Sequence, residues 1–464
     1  MLNKKLIIAG LIIVGGLIIG GSRYYQTQRF DAEAILAQSV LKDKKFTAKV
    51  QQLEVDGMRA YFLEEHSNPI VAVSFVFMNA GSAHEAENKQ GLTAVLENML
   101  LNGAGKYNAV EFRNISEEYG IHIGFSASVD TFAGSLQMPS ANADKAAELL
   151  TDVLYRPRFD DEYLNLTKQQ LLYALKVSEE RIGSVLSNAY AAEIFKNHPY
   201  SRPLIGTPET VDKIAKDDLL RYMHRYFTQK NLIIGIAGDL TPQAAEKLIG
   251  KIFGGLTKEF VDDELPDFSL KTTGKQYNVE KFFAQAMTRF AVLGTTRQSE
   301  DFYPLYIANY VFGGSGLNSR ISQIIREKNG LTYGIYTYLA FHDKAAVLTG
   351  SYSATPENFE KARNLLLAEW QKMEQSGITQ SELQQAKNAM IASHNLRFAS
   401  IDGISDMLVA MQQYDLGADF LEKRNDYVRA VTLEQVNAAA RKYFKNKPDF
   451  VSVGLKNIDE GEKK

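Results

Sequence analysis

The residues of this chain best suited to chemistry are Glu97, in GLTAVLENMLLNG (91–103), and Arg326 with Tyr333, in REKNGLTYG (326–334). A helical carboxylate can act as general base on water that a metal ion has acidified, provided ligands hold the ion beside it. Arginine offers a rigid fork of donors for a carbonyl or carboxylate, and tyrosine adds a hydroxyl donor. Donors aimed at the oxyanion that develops at an attacked carbonyl supply much of the catalysis of acyl transfer. The bland alternatives are a solvated helix-end charge for Arg326 and a half-buried strand aromatic for Tyr333, but their spacing and the glycine-rich context favour substrate contact. The seven histidines are His66, His84, His122, His198, His224, His342 and His394, and none has another four residues on. No helix therefore presents two imidazoles on one face to one ion. His66 and His84 lie near the first strand-like run, and a substitute metal site built from them is a remote alternative. His198 reads as structural. No Ser-His-Asp or Gly-x-Ser-x-Gly pattern stands out. Gly313, Gly314 and Gly316 are not followed by Lys-Ser/Thr, so they argue for backbone turning and close approach of substrate rather than a phosphate loop.

Composition narrows the classes. The chain has 464 residues, 45% of them hydrophobic and 23% charged, enough for two to four folded domains. Its net charge of −3 gives no basic surface for nucleic acid. There is no cysteine, which excludes disulfides, thiol catalysis, cysteine-type zinc sites and a lipid-bearing N-terminal cysteine. The start, MLNKK, is basic, and Leu6 to Gly21 carries no charge. That run lies between the lengths of a signal peptide and a membrane span. Residues 1–23 are expected to be a signal peptide or an uncleaved membrane anchor, with export of the remainder of the chain. A buried helix is the bland alternative. Residues 24–48 read as a polar linker.

Beyond it the chain repeats. Tyr119-Gly120-Ile121 recurs as Tyr333-Gly334-Ile335, Lys145-Ala146 as Lys361-Ala362, and Arg225-Tyr226-Phe227 as Lys442-Tyr443-Phe444. The offsets are 214, 216 and 217 residues. Matching order at nearly constant offset predicts one duplicated domain of about 210 residues. In the first half, Ile70–Gly81 reads as a strand, Gly91–Leu101 as a helix and Phe125–Met138 as one half-buried antiparallel strand. Ala141–Leu154 and Asp161–Ile182 have helical spacing. In the second, Met287–Gly294, Ile335–Ala340 and Ala346–Ser353 read as strands, and Tyr303–Phe312 and Pro356–Gln375 as helices. Each half is expected to be α+β, an antiparallel sheet packed with helices. The domains fall at 49–257 and 276–456, joined by an acidic linker at 258–275, with a charged tail at 457–464.

From Lys49 to Leu455 the chain resembles the insulinase and pitrilysin metallopeptidases. The resemblance is carried by NAGSAHEAENKQGLTAVLENMLLNG (79–103), HPYSRPLIGTPETVDKIAKDDL (198–219), QKNLIIGIAGDL (229–240) and FGGSGLNSRISQIIREKNGLTYGIYTYL (312–339). The family's metal helix reads H-x-x-E-H. Here the histidine positions are Ala94 and Asn98, and only Glu97 survives. The third ligand is a glutamate about 76 residues beyond the second histidine, a position that Ala174 occupies. Ala94 and Ala174 carry no donor, and Asn98 offers a neutral amide, a poor zinc ligand. Arg326 and Tyr333 match the pair that active members use to hold substrate. The resemblance thus implies two duplicated domains forming half a clamshell, with no metal of this chain's own. It implies a non-catalytic subunit that supplies Arg326 and Tyr333 to the zinc of a partner carrying H-x-x-E-H, in the bacterial periplasm. Peptide would bind as an added strand on a sheet edge. Two rivals remain: a self-sufficient zinc endopeptidase with atypical ligands, and a structural or assembly protein on the same fold.

Overall fold

The computed structural model describes residues 49–259, 263–394, 398 and 400–455. The apolar start, the polar stretch 24–48 and the tail 457–464 lie outside the described residues. The first sheet comprises β1 (Gln51–Val55), β2 (Met58–Glu64), β3 (Ile70–Met78), β6 (His122–Ala127), β7 (Thr131–Pro139) and β8 (Leu232–Gly238), in the order β1-β2-β8-β3-β7-β6. A separate two-stranded ribbon pairs β4 (Gly103–Ala104) with β5 (Tyr107–Asn108). The second sheet holds β9 (Gln276–Val279), β10 (Ala286–Leu293), β11 (Ile335–Phe341), β12 (Ala346–Ala354) and β13 (Asp449–Val453), in the order β11-β12-β10-β13-β9.

The two sheets share one topology. β2-β8-β3-β7-β6 matches β9-β13-β10-β12-β11 strand for strand, with β1 as an extra edge on the first. Neither sheet is wholly antiparallel, contrary to the sequence expectation. β2 pairs with β8, and β9 with β13, in parallel, while all other pairs run antiparallel. The repeat extends to side chains. Phe75 on β3 faces Gly134 on β7, and Phe290 on β10 faces Gly350 on β12. A Cβ at Gly134 would lie 2.1 Å from the Phe75 ring, and one at Gly350 would lie 2.5 Å from the Phe290 ring. Each sheet centre is thus built from a phenylalanine laid over a glycine, a pair that tolerates no larger residue.

Two element boundaries also differ from expectation. The single strand foreseen over 125–138 is a hairpin, β6 and β7, turned by Ser128, whose side chain accepts from the Asp130 and Thr131 amides. The long helix foreseen from Asp161 stops at Glu179, because Arg181 is extended (φ −100°, ψ 113°), and a second helix runs from Ile182 to Ile194.

One face of the first sheet packs on the helices Leu92–Met99, Ala143–Tyr155, Lys216–Tyr226 and Pro242–Phe253 around Phe75, Phe77 and Phe132. The opposite faces are covered by exchange. Helix Ile182–Ile194 of the first half lays Leu186, Tyr190 and Ile194 on Ala291, Val451 and Val453 of the second sheet. Helix Ile401–Gln413 of the second half returns Ile404, Leu408 and Met411 to Leu63 and Ala237 of the first. Burying each such side chain contributes about 1.5–3 kcal/mol. Ser74 on β3 also bonds Ser405 (2.8 Å) and Asp406 (2.6 Å). The linker is not a free tether either. Leu265 and Leu270 are buried in the same inter-lobe cluster, and His198 Nε2 donates to the Pro266 carbonyl at 2.8 Å.

The hairpin tips meet across the lobes. Asp130, at the β6–β7 turn, accepts from the Tyr200 hydroxyl (2.6 Å) and lies 3.4 Å from His342 at the β11–β12 turn. Burial alone would raise the Asp130 carboxyl, but the hydrogen bonds from His342 and Tyr200 hold it below the ordinary aspartate range.

Candidate functional site

Helix Leu92–Met99 buries Leu92, Val95, Leu96 and Met99, an i, i+3, i+4, i+7 stripe that fixes its rotation against the sheet. Glu85 pins its N-terminus. Its carboxylate accepts from the Gly91 amide (2.7 Å), the Thr93 amide (2.6 Å) and the Thr93 hydroxyl (2.6 Å). Burial pushes this carboxyl up to about 7, against the opposing pull of those donors. Glu85 was not singled out from the sequence. A carboxylate six residues before an αL glycine that opens a helix was the available signal.

The rotation so fixed leaves Ala94 buried, Glu97 half-buried and Asn98 exposed. Asn98 turns back on its own helix, donating from Nδ2 to the Ala94 carbonyl at 2.8 Å. Glu97 reaches sideways and accepts the Ala127 amide at 3.0 Å. In an antiparallel pair alternate residues turn their amides away from the partner strand. The bond from the Ser128 amide to the Thr131 carbonyl sets that alternation, so Ala127 faces the open edge of β6. The retained carboxylate thus satisfies an edge amide. Helix Asp161–Glu179, which carries the exposed Ala174, packs beside this helix, with Thr167 Oγ1 donating to Met99 Sδ at 3.3 Å. The side chains at these positions do not fit zinc: Ala94 and Ala174 carry no donor, and Asn98 spends its amide locally.

The histidines supply no substitute. His66 lies between Glu64 (2.9 Å) and Asp239 (2.7 Å) at the surface, whereas His84 is buried beside Tyr226. Among the described residues no three His, Asp or Glu side chains gather where they could hold an ion.

Arg326 and Tyr333 belong to the other lobe. Arg326 lies in the π-helical turn Ser322–Lys328 and is 39% exposed, with only its neighbour Glu327 at ion-pair range (3.4 Å) among the described residues. Tyr333 is 81% exposed, more than any other large hydrophobic side chain described. Between them, Thr332 fastens the loop by donating to the Ser353 carbonyl (2.6 Å). No hydrogen bond or ion pair among the described residues links this segment to Ala94, Glu97 or Asn98. Gly313, expected to admit substrate, has a nearer reason: a Cβ there would lie 2.3 Å from Thr337 Oγ1 on β11.

Residues 61–208 match the model of the insulinase family of peptidases, M16, and residues 213–390 match that of the M16 inactive domain. The chain belongs to the insulinase (M16) family. It is similar to the uncharacterized zinc protease YmxG of Bacillus subtilis, 26% identical over 80% of this chain and 89% of that protein. It is also similar to the non-peptidase homolog YmxG of Helicobacter pylori, 24% identical over 83% and 89%. A crystal structure of a peptidase M16 inactive domain from Pseudomonas fluorescens superposes with a TM-score of 0.82 at 25% identity, covering 88% of this chain and 98% of that one. An M16 fold with an inactive domain, a non-peptidase relative and a metal helix without ligands support a pseudo-peptidase.

Proposed function

We propose that this chain is the non-catalytic, substrate-binding subunit of a heteromeric insulinase-like zinc peptidase. The observation that carries this reading is the mismatch between its two sites. The helix that matches the family's metal helix is kept in place by Glu85 but carries no histidine, while Arg326 and Tyr333 stand open with no residue of the candidate metal site bonded to them among the described residues. Their partner would be a sibling subunit carrying H-x-x-E-H, and that sibling would hold the zinc. This chain's residues would orient the peptide: Arg326 through its donors to a substrate carbonyl, Tyr333 through its hydroxyl. In this reading the chain is exported through its N-terminal apolar segment and works in the bacterial periplasm.

Reconstitution with such a sibling tests the proposal. Arg326→Ala and Tyr333→Phe should lower peptide hydrolysis by the pair at least tenfold while the two subunits still co-elute. Full activity of the Arg326→Ala pair would favour the assembly-protein alternative. Chelator-sensitive cleavage by this chain alone would favour the self-sufficient peptidase.

A further inference from the structure

The open edge of the second sheet carries a side-chain arrangement that neither the metal helix nor the Arg326–Tyr333 pair explains. Helix Ile182–Ile194 packs over β9, β10 and β13, reaches Thr349 on β12 through Tyr190, and leaves only the strip along the edge strand β11 partly exposed. Tyr336 and Tyr338 stand on that strip, 49% and 38% exposed, with ring centroids 6.2 Å apart and planes 22° from parallel. Tyr336 and Arg289 both pair with Ser351, so they share one cross-strand row and one face. Arg289 lies 4.0 Å above the centre of the Tyr190 ring, and its guanidinium donates to the Tyr338 hydroxyl at 2.6 Å. Tyr190 is fixed in turn by donating to Thr349 Oγ1 at 2.9 Å. Among the described residues no carboxylate lies within ion-pair range of Arg289. The strip therefore holds a preordered cation, stacked on one aromatic ring and bonded to another, with no counter-charge among the described residues.

The edge of β11 is covered at Thr337 by the Tyr310–Gly314 turn, and the pairing groups on either side of it remain for an added strand. His342 donates its amide to the Ala345 carbonyl at 2.7 Å, which sets the alternation along β11. Ile335, Thr337, Leu339 and Phe341 then turn their amides and carbonyls toward that edge. Asn309 occupies one of these groups, donating to the Thr337 carbonyl at 3.4 Å. A peptide added here would place alternate side chains next to Tyr336 and Tyr338, on the face where Arg289 waits. An unneutralised guanidinium selects a carboxylate, and two stacked exposed tyrosines favour an aromatic neighbour.

We propose that Arg289, Tyr336 and Tyr338 form a specificity subsite for peptides lying along β11, reading an acidic side chain two residues from an aromatic one. This rests on the substrate-binding reading above. It is tested by equilibrium binding to this chain alone, so that its failure is separable from failure of the reconstituted activity. The probe is a fluorescein-labelled ten-residue peptide with Glu and Phe two positions apart, compared with its Glu→Gln and Phe→Ala counterparts. The Glu peptide should bind about tenfold tighter than the Gln peptide, as expected for a charge-assisted pair at a partly exposed site. Arg289→Met should erase that ratio. Tyr336→Ala, at an exposed position, should erase the preference for Phe and leave the Glu preference intact. Methylating the peptide amides that face β11 should weaken binding. Equal binding of Glu and Gln peptides, a ratio that survives Arg289→Met in folded protein, or no binding up to millimolar peptide would each overturn the assignment.

Discussion

If helix Leu92–Met99 and helix Asp161–Glu179 still hold a zinc scaffold, three substitutions should restore the ion. The variant combines Ala94→His, Asn98→His and Ala174→Glu. Ala94 is only 6% exposed, so an imidazole there must displace packed neighbours. Overpacking of that kind costs about 1–3 kcal/mol. Asn98 and Ala174 are exposed. Replacing Asn98 sacrifices one surface hydrogen bond, about 1 kcal/mol or less. The metal-free variant should therefore be roughly 2 kcal/mol less stable than the parent. Zinc at 100 times its dissociation constant would return about 2.7 kcal/mol. At about 2–4 °C per kcal/mol for lobes of this size, the melting temperature should rise roughly 5–10 °C on adding zinc. Thermal denaturation with zinc and with chelator, alongside metal analysis after gel filtration, reads both quantities. The parent should show no shift and no retained zinc. A folded triple variant that retains no zinc would mean that 94, 98 and 174 do not converge, and the reading of a dismantled site would be wrong.

Three further perturbations probe the same geometry. Glu97→Ala should cost about 1–2 kcal/mol in chemical denaturation, because the Ala127 amide loses a charged acceptor, yet leave the reconstituted pair's activity unchanged. Leu408→Ala, in the second half of the sequence, should cost about 2–5 kcal/mol and speed amide exchange in β3 and β8 of the first sheet, on which its helix lies; unchanged exchange there would refute the helix exchange. The Asp130 carboxyl is held below its ordinary value of 3.8 when folded, so its contribution to stability is present above pH 3.8 and is lost as pH falls through the folded value. Asp130→Asn should flatten that acid limb relative to the parent, and parallel curves would count against the hairpin-tip contact.

Much of the architecture was legible because it is written in local pattern. The duplication shows in three short segments at nearly constant offset, and the central strands show as apolar or alternating runs. What was hidden depends on partners far apart in the chain. Nothing in the spacing of Ile182–Ile194 says that its apolar side faces the second sheet, since amphipathicity names a face but not what covers it. The parallel pairs β2·β8 and β9·β13 escaped for the same reason: strand direction is decided by crossovers, not by strand composition. At the candidate site, that Ala94, Asn98 and Ala174 offer no zinc-binding side chain needed only residue identity. The new duty of Glu97 did not, because it depends on where the Ala127 amide points. The Phe75–Gly134 and Phe290–Gly350 pairs were invisible for a further reason. A glycine in an alternating strand signals close approach without naming the ring that approaches.

The proposed function requires the catalytic metal and the Arg–Tyr pair to reside on different chains. The direct measurement is peptide hydrolysis by this chain alone, by an H-x-x-E-H sibling alone and by their mixture, with the Arg326→Ala chain in a parallel mixture. Cleavage confined to the mixture with the unaltered chain, and reduced at least tenfold by Arg326→Ala, is the predicted result. Chelator-sensitive cleavage by this chain alone, or an undiminished Arg326→Ala mixture, would contradict it.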